Sequence, residues 1–195
     1  MGASSNPSRT ADTRDRLIDA ALVVVARDGL GEANVKAIAQ EAGVTAGLLH
    51  YHFASKDELL FSAVERAGAE YIAALDALIA GHEPAALFDA YLGFAAASLH
   101  AHRPLFALRF ALAVRAINEP ALAQRLAGGD AAISARLAQV LSRHAGRAKP
   151  DPADEVGARM IKAAFEGLML SWLSRPDFPM EAALARLAAA VRAAV

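Results

Sequence analysis

Cysteine is absent from the 195-residue chain, so disulfides, thiolate-zinc sites and cysteine nucleophiles are all excluded. Aromatic residues are scarce at 6%, and Val, Ile and Thr together number 21 against 74 for Ala plus Leu. Helix formers therefore far outnumber the β-branched residues that favour strands, and an all-α fold is expected. An excess of one charge is also missing, since 20 Lys and Arg oppose 21 Asp and Glu for a net charge of -1. Any nucleic-acid contact must then come from local arrangement and not from bulk charge. The longest strongly apolar run, Ala20 to Ala26, has seven residues, far short of the roughly 20 a membrane-spanning helix needs. No Lys- or Arg-led apolar segment opens the sequence, so no secretory leader, no membrane partner and a cytoplasmic location are expected.

Alanine is what the chain has in abundance. Its 50 residues lift the hydrophobic fraction to 55%, and without them the apolar count falls from 108 to 58. The positive mean hydropathy of +0.28 is thus an alanine effect.

Residues 1–11 are small and polar, a composition expected to form a flexible arm. A first helix is expected from about Asp12 to Asp28, with Leu17, Ala21, Val24 and Val25 on one face and Gly29 as its stop. Val35, Ile38, Ala39 and Ala42 follow the i, i+3, i+4, i+7 pattern of a second, short helix ended by Gly43. Thr45 is placed to cap a third helix, and Ser55-Lys56-Asp57-Glu58 reads as a capping box opening a long helix to about Ala80. Five more helices are expected over 84–101, 104–116, 120–147, 152–174 and 179–194, each opened near a proline.

The tight turn Glu41-Ala42-Gly43-Val44-Thr45 between two short helices matches helix-turn-helix geometry. The third helix would then be the one laid in a DNA major groove, with Leu49 and Phe53 packed inward and Ala46, Gly47, His50 and Tyr51 facing outward.

The run Ile38-Ala39-Gln40-Glu41-Ala42-Gly43-Val44-Thr45-Ala46-Gly47-Leu48-Leu49-His50-Tyr51-His52-Phe53-Ala54-Ser55-Lys56-Asp57-Glu58-Leu59-Leu60, with a first helix over Thr13 to Gly29, resembles the TetR/AcrR-type bacterial transcriptional regulators. The resemblance is dense over about residues 12–62. It implies an all-α homodimer, with a helix-turn-helix DNA-binding domain at 12–62 (recognition helix about 45–52). The remainder, 63–195, would bind an effector and form the dimer. It also implies roles for individual residues. Thr45 and the amides beside it suit a phosphate, Gly47 admits the DNA backbone, and Tyr51, His52 and Lys56 reach phosphates. Base reading maps to Ala46, Gly47 and His50 and to the start of the second helix at Asn34 and Lys36. With Ala46 and Leu48 apolar, direct readout leans on a thymine-methyl contact from Ala46 and a hydrogen bond from His50. Arg9 and Arg14 add minor-groove or phosphate contacts.

Between residues 100 and 150 eight basic residues oppose only Glu119 and Asp130. Tyr91, Phe94, Phe106 and Phe110 lie nearby in sequence. One reading is a pocket for an apolar effector carrying an anionic group, held by Arg103, Arg109 or Arg115; the other is a solvated helix face over core aromatics. Further on, Ala163, Gly167 and Ser171 form a small-residue stripe on the penultimate helix. That stripe and the Leu184, Leu187, Val191 ridge are expected at a dimer interface. Phe165, Met169 and Trp172 would line the effector cavity.

No Ser/His/Asp set, phosphate-binding glycine loop or carboxylate-rich metal cluster stands out, so no catalysis, metal or cofactor is expected. His50 and His52 point to different helix faces, which disfavours a shared metal. A repressor released from a pseudo-palindromic operator on double-stranded DNA by a small molecule is the expected function. A DNA-binding architectural or adapter protein without an effector is the alternative.

Overall fold

The computed structural model describes residues 7–194, with side chains from Asp12 to Ala193. Among these residues there are nine α-helices and no strand: α1 (Pro7–Asp28), α2 (Val35–Glu41), α3 (Ala46–His52), α4 (Lys56–Gly81), α5 (Pro84–Ala101), α6 (Arg103–Ala116), α7 (Pro120–His144), α8 (Pro152–Ser174) and α9 (Met180–Ala194). Prolines occupy the first turn of α5 to α8, where their missing N–H breaks no helical bond and their φ is already set.

Two helix ends differ from the sequence expectation by more than one residue. Helix α1 begins at Pro7 and not at Asp12, so part of the expected flexible arm is helical. Proline is preorganised for a first turn, and a helix nucleated on its buried face extends at little cost. The rest of the expected arm, residues 1–6, lies outside the described residues. Helix α7 stops at His144 and not at residue 147. Gly146 takes the left-handed conformation (φ 74°), the Arg147 amide donates to the Ser142 carbonyl and the Gly146 amide to that of Arg143. This paired arrangement satisfies the terminal carbonyls and requires glycine. Helix α8 starts on a reciprocal box that the proline signal had hidden: the Asp154 amide donates to Asp151 Oδ1 at 2.9 Å and the Asp151 amide to Asp154 Oδ2 at 3.0 Å.

The chain forms two compact units. The first runs to Ala67 and includes Pro104–Leu112; the second holds Gly68–Arg103 and Ala113 onward. The division therefore falls within α4 and within α6, whereas the sequence reading put a single boundary after residue 62. The core of the first unit is built from Leu17, Ile18, Ala21 and Val24 of α1, Ile38 and Ala39 of α2, and Leu49, Phe53, Leu59 and Leu60, all buried. Burying each large side chain contributes about 1.5–3 kcal/mol. In the second unit Leu75, Leu87, Phe88, Leu137, Val140, Leu141 and Ala158 form the core, where α7 packs on α5 and α8, and α9 packs on α5 and α8.

Candidate nucleic-acid interface and a helical cavity

The turn between α2 and α3 is set by hydrogen bonds that the local sequence dictates. Gly43 adopts φ 66°, the Val44 amide donates to the Ala39 carbonyl at 2.9 Å and the Gly43 amide to that of Gln40 at 3.1 Å. Arg16 crosses from α1 and donates to the Ala42 carbonyl. Thr45 then takes extended backbone and its hydroxyl accepts from the Leu48 amide at 3.3 Å, capping α3.

Leu49 and Phe53 are buried on the inner side of α3, and Ala46, Gly47, Leu48, His50 and Tyr51 are exposed. Tyr51 is 70% exposed, which a core aromatic would not be. The half-buried His52 ring stands edge-on to it, 5.2 Å between centroids. Lys36 is exposed on α2. Three expected contact residues are held by the protein itself. Asn34 caps α2, its Oδ1 accepting from the Ala37 amide at 2.9 Å and its amide group donating to the Glu32 carbonyl at 3.2 Å. Lys56 is half-buried and donates to the Ala33 carbonyl at 2.9 Å. Arg14 donates to the buried Ser62 hydroxyl at 3.2 Å, and its guanidinium lies over the Phe53 ring, 5.0 Å from the centroid. The side chain of Arg9 lies outside the described residues.

In the second unit a cavity of about 350 Å³ lies among α5, α8 and α9. Phe88, Tyr91 and Leu92 of α5, Ile161 and Phe165 of α8, and Leu184, Leu187 and Val191 of α9 form most of its wall, with Arg192 as its one charged lining residue. Arg192 is ion-paired with Asp89. The Tyr91 hydroxyl is hydrogen-bonded with that of Tyr71 on α4. Burial pushes Tyr71 up to about 12 against the opposing effect of that hydrogen bond. Burial raises Tyr91 further, aided by its neighbour Tyr71. Both phenols stay neutral at any ordinary pH.

With this geometry in view, the known proteins decide the family. A model of bacterial regulatory proteins of the tetR family matches residues 17–63, and a model of the BetI-type transcriptional repressor C-terminal region matches residues 84–195. The chain belongs to the TetR family of transcriptional regulators. Members are DNA-binding regulators and not enzymes. A nicotine-responsive transcriptional repressor from Paenarthrobacter nicotinovorans is 35% identical over 74 residues, which is 38% of this chain and 38% of that protein's length. A transcriptional regulator from Rhodococcus sp. Rha1 is 29% identical with a TM-score of 0.72, over 90% of this chain and 91% of that one. The multidrug binding protein EbrR, solved with imidazole, is also 29% identical, with a TM-score of 0.67 over 95% of this chain and 93% of that one.

The regulator's remaining expected site residues separate into distinct places. Tyr91 and Phe165 do line the cavity. Phe94 packs 4.8 Å from Tyr71 by ring centroids, and Met169 is buried at 3% exposure; neither is part of the cavity wall. Phe106, Arg109 and Phe110 sit on the stretch of α6 that belongs to the first unit. Arg103 stacks on Trp172 at 5.2 Å and donates to the Leu173 carbonyl near the end of α8. Trp172 in turn lies 5.7 Å from the His100 ring.

The arginine excess serves helix ends and interhelical pairs. Arg115 pairs with Glu119 at 3.1 Å, Arg136 with Asp76 at 3.0 Å, and Arg143 donates to the Ile79 and His82 carbonyls at the end of α4. Cations are favoured at helix C-termini, and this accounts for Arg103 and Arg143. The Leu184, Leu187, Val191 ridge is half-buried and lines the cavity. Of the small stripe, Ala163 and Gly167 are exposed and Ser171 is half-buried. Flanking them on α8, Val156, Met160 and Leu170 are 55%, 67% and 51% exposed. Their alternating steps of four, three, four and three from Val156 through Met160, Ala163, Gly167 and Leu170 were legible as a heptad-like seam.

Proposed function

We propose that this regulator is a homodimeric, effector-responsive repressor acting in the cytoplasm, which binds a pseudo-palindromic operator through α3 and releases it when a small molecule occupies the second unit. The observation that carries the reading is the exposed side of α3. Its inner residues Leu49 and Phe53 lock the helix down, and this leaves Ala46, Gly47, Leu48, His50 and Tyr51 clear of the protein for a major groove. In this reading Ala46, Gly47 and His50 face base edges, while Thr45, Tyr51, His52 and the exposed Lys36, which the resemblance put among the base readers, position the phosphate backbone. Residues 12–62 act as the DNA-binding domain and 63–195 as the effector and dimer domain. The twofold mate packs on the α8 seam of Val156, Met160, Ala163, Gly167 and Leu170, which extends the expected small stripe, beside the Leu184, Leu187, Val191 ridge of α9. Release is a population shift, in which the effector prefers a conformation whose recognition helices are wrongly spaced for successive major grooves. The cavity among α5, α8 and α9 supports this reading over an architectural DNA-binding protein without an effector.

Footprinting on the DNA flanking the regulator's own gene, with and without candidate effectors, tests the reading. A protected inverted repeat lost on addition of a small molecule is expected. Protection without inverted symmetry, or protection insensitive to a broad panel of small molecules, would refute it.

A further inference from the structure

Helix α3 has few chemical means of reading a base. Its exposed residues are Ala46, Gly47, Leu48, His50 and Tyr51. None is an arginine, lysine, asparagine or glutamine, the side chains that pair bidentately with guanine or adenine. Gly47 has no side chain, and His50 offers one hydrogen bond at a time. A single bond to the N7 acceptor does not tell adenine from guanine, because both carry it.

The structure also withdraws polar residues that the sequence set beside α3. Asn34 spends its side-chain oxygen on the Ala37 amide and its amide group on the Glu32 carbonyl. Arg14 is held by Ser62 and the Phe53 ring, and Lys56 by the Ala33 carbonyl. Lys36 stays exposed, but on α2, as a flexible point charge suited to a phosphate.

What α3 does present is an aliphatic side chain. Leu48 is 36% exposed, although Leu49 beside it is wholly buried. It precedes Tyr51 by three residues, so the two are neighbours on the helix surface, and Tyr51 at 70% exposure marks that side as the outward one. A single exposed leucine on an arbitrary surface needs no partner. On a helix that enters a major groove it meets base edges, where the apolar group on offer is the C5 methyl of thymine.

We infer that Leu48 reads a thymine in each operator half-site by packing its side chain on the C5 methyl group. This role rests on the docking of α3 proposed above, and it names how that helix selects sequence. Apolar contact from Leu48, beside the smaller methyl of Ala46, takes the place of bidentate hydrogen bonds to purines. Burial of one methyl group is worth about fourfold in affinity. The contact involves no charge, so it adds nothing to the salt dependence.

The test selects duplexes that bind the full-length protein from a random library, then replaces each thymine of the recovered site by deoxyuridine, which lacks only the methyl group. At one thymine per half-site the replacement is expected to weaken binding about fourfold. Leu48→Ala and Leu48→Gln, each shown folded by a thermal melt, are expected to bind the thymine and uracil duplexes equally at that position, with the salt slope of the parent. Tyr51→Ala is expected to weaken both duplexes alike and to keep the fourfold ratio, because a phosphate contact does not sense the methyl group. A selected inverted repeat that tolerates uracil at every thymine, or uracil penalties that all persist in the Leu48 variants, would overturn the assignment while leaving the docking of α3 intact. Recovery of no preferred sequence would refute the docking itself, and the role of Leu48 with it.

Discussion

The Lys56 ammonium donates a 2.9 Å hydrogen bond to the carbonyl of Ala33, which is itself fully buried. This contact ties the first residue of α4 to the segment that precedes α2, across 23 positions of sequence. A lysine that the sequence marks as a phosphate contact is thus also a brace for the helix-turn-helix. Lys56→Met is expected to leave the Ala33 carbonyl without this partner and to cost about 1–3 kcal/mol of stability, read from urea denaturation. A stability unchanged within error would show the brace to be idle.

Lys36 and Tyr51 separate charge from shape at the proposed DNA surface. Lys36→Met removes an exposed cation and is expected to reduce the slope of log affinity against log salt by about 1. Tyr51→Ala removes a neutral group that is 70% exposed; it should weaken binding on all DNA sequences, leave the salt slope as it was, and change stability by less than about 0.5 kcal/mol. Mobility shifts across a salt series, with a thermal melt of each variant, check both.

Placing Glu at Met160, midway along the exposed α8 seam, would bring two carboxylates together across a twofold axis. Met160→Glu is expected to cost roughly 2–5 kcal/mol of association free energy and to yield monomers in sedimentation equilibrium, with weakened operator binding. A dimer of unchanged affinity would place the interface elsewhere.

Gly93→Ala is expected to raise stability by about 0.5–1 kcal/mol, the cost of glycine inside a helix, because the added methyl group meets no neighbour. Chemical denaturation at constant protein concentration measures it. A loss of stability would mean that the glycine serves the fold.

Asp151 contributes a pH-dependent element. The Asp154 amide that donates to it, opposed by desolvation and assisted by Arg147, holds its carboxyl below the ordinary value of 3.8. A depressed folded value means that the unfolded chain takes up the proton more readily. The stabilisation is therefore complete well above 3.8 and is lost as pH falls through the folded value. Asp151→Asn keeps a capping oxygen without the titration; its denaturation midpoint should fall less steeply than that of the parent between about pH 5 and pH 2.

The helices and the exposed side of α3 were determined by local chemistry that a sequence carries openly. Gly43 and Thr45 act through bonds to residues within five positions, prolines mark first turns, and Leu49 and Phe53 face inward by helical periodicity alone. What only the tertiary structure decided is which long side chains are spent on distant partners. Arg14 reaches Ser62, Lys56 reaches Ala33, Arg103 reaches Leu173 and Arg143 reaches the end of α4, and in sequence each looks like a free cation. The same holds for apolar ridges: Leu184, Leu187 and Val191 have the spacing of an interface and also line a cavity within their own chain, half-buried, while Val156, Met160 and Leu170 are exposed. Periodicity states that a face is apolar and leaves its partner open, because the hydrophobic effect has no direction; only the packing of α5, α8 and α9 chooses between a neighbouring helix, a ligand and a second chain.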